Sequence, residues 1–299
     1  MHDITARPRL LTPRTLAQFA IVTLIWGSTW MVIRTQLGVV PPAWSVAYRF
    51  LLGAAIMLTL CVVTGRSLRL GRAGHAFALA IAALQFVFNF NFVYHAEEHL
   101  TSGLVAVVFA LLVVPNTLLS RLFLGTRITP RFAGGAGLGI VGVMMMFWTD
   151  LGMSGGAAYG LALVGLGVLS ASVANVLQAG KFARSLPLEG GLAVSMLYGG
   201  LLDAALAFAT VGPPVFDTSA TYLAGLAYLS VFASAVAFLL YYQLIRSIGP
   251  ARAAYTGVVV PIVALSLSMV FEGYVWTPLA AAGAVLALAG LVVALRSRA

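Results

Sequence analysis

The sequence predicts an all-α integral membrane protein: ten transmembrane helices built as two inverted five-helix repeats around a central cavity. Three observations carry this prediction. The first is composition, with 61% of the 299 residues hydrophobic and 8% charged; a soluble domain carries about 25% charged residues. The second is an internal repeat. Shifted by about 148 positions and without gaps, Phe90–Gly142 lies over Phe238–Gly290, most clearly where FLGTRITP (Phe123–Pro130) meets FEGYVWTP (Phe271–Pro278). The third is charge. Arg121, Arg127 and Arg131 of the first copy become Met269, Val275 and Leu279 in the second. The apolar frame is kept while the positive charge is removed. Copies inserted in opposite orientations require this, because Lys and Arg mark the cytoplasmic side.

Apolar segments of spanning length fall at about 16–36, 43–63, 74–95, 101–122, 130–148, 157–180, 191–211, 219–245, 251–270 and 278–295. Lipid offers the backbone no hydrogen bonds, so each must be helical. Helix 1 follows a basic stretch with no small-residue cleavage pattern and reads as a retained span. Helix 2 follows Pro41-Pro42, and helix 3 is set off by Gly65–Gly71. Helix 4 carries Pro115. Helices 5 and 10 start at Thr129-Pro130 and Thr277-Pro278, where Thr caps and Pro fits the first position without losing a needed donor. Gly152–Gly156, Pro187–Gly190, Gly212–Pro214 and Gly249-Pro250 precede helices 6 to 9. The halves are residues 1–150 and 151–299.

Charge tests this count. Arg7, Arg9 and Arg14, Arg66, Arg69 and Arg72, the three arginines around the fourth turn, Lys181 and Arg184, Arg246 and Arg252, and Arg296 and Arg298 all fall on one side of ten helices. Glu97, Glu98, Asp150, Asp217 and Glu272 fall on the other. Both termini are therefore expected in the cytoplasm. Five helices per repeat is an odd number, so the second copy runs upside down. Inverted repeats of this kind are typical of secondary transporters, with the substrate site near the midplane. The net charge of +9 is spread between apolar runs as topology signals, so no nucleic-acid partner is expected. One cysteine, Cys61, excludes an intrachain disulfide.

The chain resembles the drug/metabolite transporter superfamily, in its ten-helix members with two EamA-type repeats. The resemblance covers essentially the whole chain and rests on short motifs in order: Trp26-Gly27-Ser28-Thr29-Trp30, Pro41-Pro42 with Arg49-Phe50, Pro115, Pro261 and the two Thr-Pro starts. Where the family often has a Glu before helices 5 and 10, this chain has Thr126 and Tyr274, with Glu272 two residues earlier. The resemblance implies export of small organic solutes, with aromatic or neutral amino acid exporters the nearest likeness.

Candidate site residues are polar or aromatic groups inside the spans, where they are costly and tend to face a cavity or each other. In helix 1, Trp26 and Trp30 are four apart and stack on one face, as a cavity wall or an interfacial belt. Arg49, with Tyr48, sits early in helix 2; it can hold a substrate carboxylate, pair with the buried acid Asp203, or reach to the interface. Helix 3 is densest, with Gln85, Asn89, Asn91, Tyr94 and His95 interleaved with phenylalanines; Gln85, Asn89, Phe92 and the His95 level share a helical face. His95 is a candidate to bind or carry a proton by residue type, or to sit as an interfacial histidine beside Glu97, Glu98 and His99. Ser172, Asn175 and Gln178 step by three along helix 6 and read as a polar stripe facing the cavity. Tyr198, Tyr241, Tyr242, Gln243, Tyr255 and Thr256 complete the set.

Two motif matches are set aside. Gly137-x-Gly139-x-x-Gly142 has the letters of a dinucleotide fingerprint but lies inside a spanning helix, where close packing of small residues explains it. Gly152-x-Ser154-x-Gly156 has the letters of a serine-hydrolase elbow in a glycine-rich outer turn. The expectation is a transporter of the bacterial inner membrane, not an enzyme, exporting amino acids or related metabolites by alternating access. It needs no cofactor and acts as a monomer with internal pseudo-two-fold symmetry, its partners being the bilayer and a small-molecule substrate. A passive facilitator, multidrug efflux and an intramembrane serine hydrolase are the alternatives.

Overall fold

The computed structural model describes residues 12–125, 128–151, 155–248, 253, 256–273 and 276–296. Arg7, Arg9, Arg127, Arg252, Arg298, Ser154 and Tyr255 lie outside the described residues, as does the side chain of Asp150. Every regular element among the described residues is helical. The helices are α1 (Pro13–Arg34), α2 (Pro42–Val63), α3 (Gly71–Ala96), α4 (Ser102–Leu124), α5 (Pro130–Leu151), α6 (Gly155–Ala179), α7 (Leu188–Val211), α8 (Ala220–Ser247), α9 (Thr256–Phe271) and α10 (Pro278–Arg296). One short turn of helix, Lys181–Ser185, joins α6 to α7. Seven of these are long and apolar enough to cross a membrane by themselves; α5, α9 and α10 contribute the shorter apolar stretches Pro130–Met146, Val259–Phe271 and Pro278–Gly290.

The Thr-Pro starts act as their chemistry requires. Thr129 accepts the N–H of Phe132 at 3.2 Å and Thr277 that of Ala280 at 3.1 Å, each satisfying a donor that the first turn leaves free. Thr12 does the same for Thr15 at the start of α1.

Contacts between connections sort the bundle into two ends. At one end, Arg66 after α2 meets Glu189 in the first turn of α7 at 3.7 Å, and Arg246 at the end of α8 donates to the carbonyls of Ala183 and Leu186. At the other, Arg34 after α1 reaches the α3–α4 turn and Glu272 after α9, while Trp44 and Tyr48 at the start of α2 donate to Gly212 and Val215 after α7. The connections after α2, α6 and α8 therefore meet at one end and those after α1, α3, α7 and α9 at the other.

Side by side, α5 packs along α10 and α2 along α7; α1 meets α8 and α9, and α6 meets α3 and α4. The α5–α10 pair is a backbone contact. A Cβ built on Gly142 would stand 2.4 Å from the Ala287 nitrogen and 2.5 Å from the Gly283 oxygen; one built on Gly290 would stand 2.4 Å from the Gly139 nitrogen and 2.5 Å from the Gly135 oxygen. Gly139 and Gly142 of the dinucleotide-like motif thus belong to a small-residue seam, while Gly137 faces open space; the seam is held by dispersion because lipid supplies no hydrophobic drive between helices.

Three helices are irregular where the sequence reading expected none or only a bend. α3 widens to a π-helix over Ala82–Phe88, and α8 does so over Leu229–Val236, the repeat-equivalent stretch. α4 breaks at Leu111 and Leu112 between helical pieces Ser102–Ala110 and Val113–Leu124. The Pro115 ring clashes with the carbonyl four residues earlier, which is that of Leu111.

Candidate functional site

These irregular helices surround the main cavity. It holds about 130 Å³ and is lined from α1, α2, α3, α4, α6, α8 and α9.

α1 contributes Trp26, Thr29, Trp30 and Ile33, residues three and four apart and therefore on one face. Trp26 donates its indole N–H to the Ala233 carbonyl at 3.3 Å and packs on Tyr241 at 4.8 Å. Trp30 packs on Phe109 at 5.3 Å, and its buried indole nitrogen has no hydrogen-bond partner. Both tryptophans form part of the cavity wall.

Arg49 from α2 is 1% exposed and lines the same space. Its Nε donates to Ser234 Oγ at 2.9 Å and its Nη1 to Tyr94 OH at 3.4 Å, while the guanidinium lies 4.5 Å from the centre of the Phe90 ring. Ser234 belongs to the π-segment of α8. Among the described residues no carboxylate lies within ion-pair distance of Arg49. The alternative of an Arg49–Asp203 pair is therefore corrected: Asp203 is fully buried and accepts from Asn91 at 2.7 Å instead.

α3 supplies Gln85, Asn89, Phe90 and Val93. The shared face was expected to run through Phe92 to His95. The π-turns close i to i+5 and hold more residues per turn, so side chains four apart stay aligned and the face runs 85, 89, 93. His95 turns away, with its side chain 44% exposed, and pairs with Glu98 at 2.8 Å. His99 packs on Tyr159.

α6 corrects the polar stripe. Asn175 lines the cavity with Ala171, but Ser172 is fully buried outside it, and Gln178 lines a smaller recess with Tyr242 and Arg246. The reason is rotation: at about 100° per residue, steps of three drift about 60° each time, whereas a step of four keeps Ala171 and Asn175 together.

Of the remaining candidates, Tyr48 stacks on Trp44 and Phe216 at the bundle end, Tyr94 is buried behind Arg49, and Tyr198 meets His75 Nδ1 at 2.9 Å. Tyr241 and Thr256 do line the cavity, with Gly257 and Pro261 of α9. Among the lining residues that were not candidates are Phe109 and Asn116 of α4 and Phe238 of α8. Asn116 carried a signal, a polar residue directly after a proline inside a span.

Next in the chain after the cavity residue Ile33 and one turn beyond Val93, Arg34 and Glu97 meet Glu272 in a cluster at this end of the bundle. Arg34 donates to the backbone carbonyls of Glu97 and Leu100, and its Nε lies 3.7 Å from Glu272 Oε1. Glu272 Oε2 accepts from Ser268 Oγ at 2.5 Å and from the Ser102 N–H at 3.1 Å. Glu97 is fully buried with neither carboxyl oxygen hydrogen-bonded. Burial, reinforced by Glu272, pushes its carboxyl well above the usual range despite Arg34 and Arg49. The sequence reading had used Glu97 and Glu272 as topology markers alone.

Known proteins share this architecture. Protein PagO of Salmonella typhimurium is 23% identical over 257 residues, covering 86% of this chain and 84% of its own. The uncharacterized inner membrane transporter YedA of Escherichia coli K12 is 30% identical over 267 residues, covering 87% and 83%. A solved crystal structure superposes with a TM-score of 0.70 at 20% identity over 95% of this chain and 97% of that one, a likeness of fold. Residues 14–148 and 158–296 each match the EamA-like transporter family. The chain, with its helical bundle folded around one polar-and-aromatic cavity, belongs to the EamA-like transporter family.

Proposed function

We propose that this protein is a secondary transporter of the bacterial inner membrane that exports a small carboxylate-bearing solute, an aromatic or neutral amino acid, by alternating access. The observation that carries the reading is Arg49: a buried guanidinium on the cavity wall with no acidic partner among the described residues. A cation inside a membrane protein marks a substrate or ion pathway by default, and a guanidinium matches a carboxylate through two parallel hydrogen bonds. The amides of Gln85, Asn89, Asn116 and Asn175 suit an ammonium group, and the rings of Trp26, Trp30 and Tyr241 suit an apolar side chain.

Alternating access draws support from the packing. Gly135 meets Gly290 and Gly142 meets Gly283, yet Gly135 and Gly283 are repeat-equivalent, as are Gly142 and Gly290. Such reciprocal contact is the mark of a two-fold relation. The pairings of α1 with α9 and α6 with α4 exchange under the same operation, and so do α3 with α6 and α8 with α1. In this reading the protein is a monomer of two inverted halves, both termini are cytoplasmic, and the halves rock about the shared site.

The test is uptake of a radiolabelled amino-acid panel by liposomes holding the purified protein, with counterflow as the readout. Saturable exchange of a neutral or aromatic amino acid, weakened in Asn89→Ala, is expected. Uptake that neither saturates nor shows counterflow would make the protein a passive facilitator.

A further inference from the structure

The cluster beyond the cavity holds two carboxyl groups and one guanidinium, drawn from every element that meets there. Arg34 comes from the end of α1, Glu272 from the end of α9 and Glu97 from the α3–α4 turn, while the first N–H of α4, from Ser102, binds Glu272. Arg34 is committed twice, to the backbone of the turn and to the Glu272 carboxylate, which also takes the Ser268 hydroxyl. Glu97 receives none of this. Its side chain is 0% exposed and both its oxygens lack a hydrogen-bond partner. The neighbours on its own turn are turned elsewhere, with His95 on Glu98 and His99 on Tyr159. Arg49 acts on it from the cavity at longer range. With one cation already matched by Glu272, a second negative charge here would be buried and uncompensated, which the low-dielectric surroundings strongly disfavour.

We propose that Glu97 is a proton-binding site that couples opening of this end of the cavity to pH: it carries a proton in the closed form, with Arg34, Glu97 and Glu272 packed together, and releases it when they separate and the end opens. The proposal rests on the transport reading for the word coupling, but the proton site itself does not. The sign follows from linkage. A group that binds its proton more tightly in the closed form makes protons favour that form. Acidification therefore closes this end, and raising the pH ionises Glu97 beside Glu272 and favours opening. Arg34, with its side chain 40% exposed, is where water reaches the cluster first. A solute leaving through this end then depends on proton release, and a proton entering resets it.

The proton site is tested on the purified full-length protein by infrared difference spectroscopy of wild type against Glu97→Gln, a substitution that keeps shape and removes the charge. A protonated-carboxyl band is expected in the wild type at pH 7, absent from the variant and lost as pH rises. Arg34→Gln removes the nearest cation and is expected to move that titration to higher pH. A wild type with no such band overturns the proposal whatever the transport assays give. Coupling is tested in liposomes. Glu97→Gln is expected to keep amino-acid counterflow but lose acceleration of uptake by a pH gradient; an undiminished pH response in that variant overturns the coupling. No counterflow in the wild type would refute the transport reading, and the infrared titration then decides the proton site alone.

Discussion

Arg49 is a costly residue to place in this chain. A guanidinium inside a spanning helix costs up to about 3 kcal/mol on insertion scales, and here Ser234, Tyr94 and the Phe90 ring offset part of that without neutralising the charge. If the remaining interaction is kept for a solute carboxylate, Arg49→Gln removes a charged hydrogen bond worth about 1.5–3 kcal/mol. The expected outcome is a KM raised at least tenfold in liposome uptake, with Arg49→Lys intermediate because it keeps the charge and loses the fork. A KM unchanged in Arg49→Gln would assign the residue to holding α2 against α8. Asn175, Ser172 and Gln178 show what a sequence reading misses at this scale. All three are polar, yet rotation along α6 sends only Asn175 to the cavity.

At the scale of elements, the α5–α10 seam and the irregular helices matter most. Adding a side chain at Gly142 forces α5 and α10 apart, since backbone atoms of α10 already stand 2.4–2.8 Å from a Cβ there. Overpacking of this kind typically costs about 1–3 kcal/mol, so Gly142→Leu is expected to lower the melting temperature measured in detergent. The same substitution at Gly137, with open space around it, should leave it nearly unchanged. The paired π-segments of α3 and α8 offer Gln85 to the cavity, Ser234 to Arg49 and the Ala233 carbonyl to Trp26. Neither segment contains a proline to announce it, which is why the face of α3 was read along the wrong line past Asn89.

For the whole molecule, contacts that join connections at two separate ends make a topological prediction. With Cys61, already buried, replaced by serine, single cysteines at Arg66 and Lys181 should react with an impermeant thiol reagent only from the cytoplasm. Cysteines at Glu98 and Asp217 should react only from outside. Labelling of all four from one face would break the inverted arrangement.

The sequence alone determined the membrane class, the helical segments close to their observed bounds, the Thr-Pro starts and the family. These depend on composition and short-range chemistry, which a run of residues carries by itself. It also named Trp26, Trp30, Arg49, Gln85, Asn89 and Asn175, all now found around one cavity, because polar and aromatic groups inside a span stand out against lipid. Tertiary structure alone decided which side of each helix those groups face. Two π-segments and a proline break shift the helical register, and no local signal fixes that shift. It alone also brought Arg34, Glu97 and Glu272 together from three distant connections. In the sequence each is an isolated charge at a helix end. Only their packing leaves one carboxyl buried with no cation to itself.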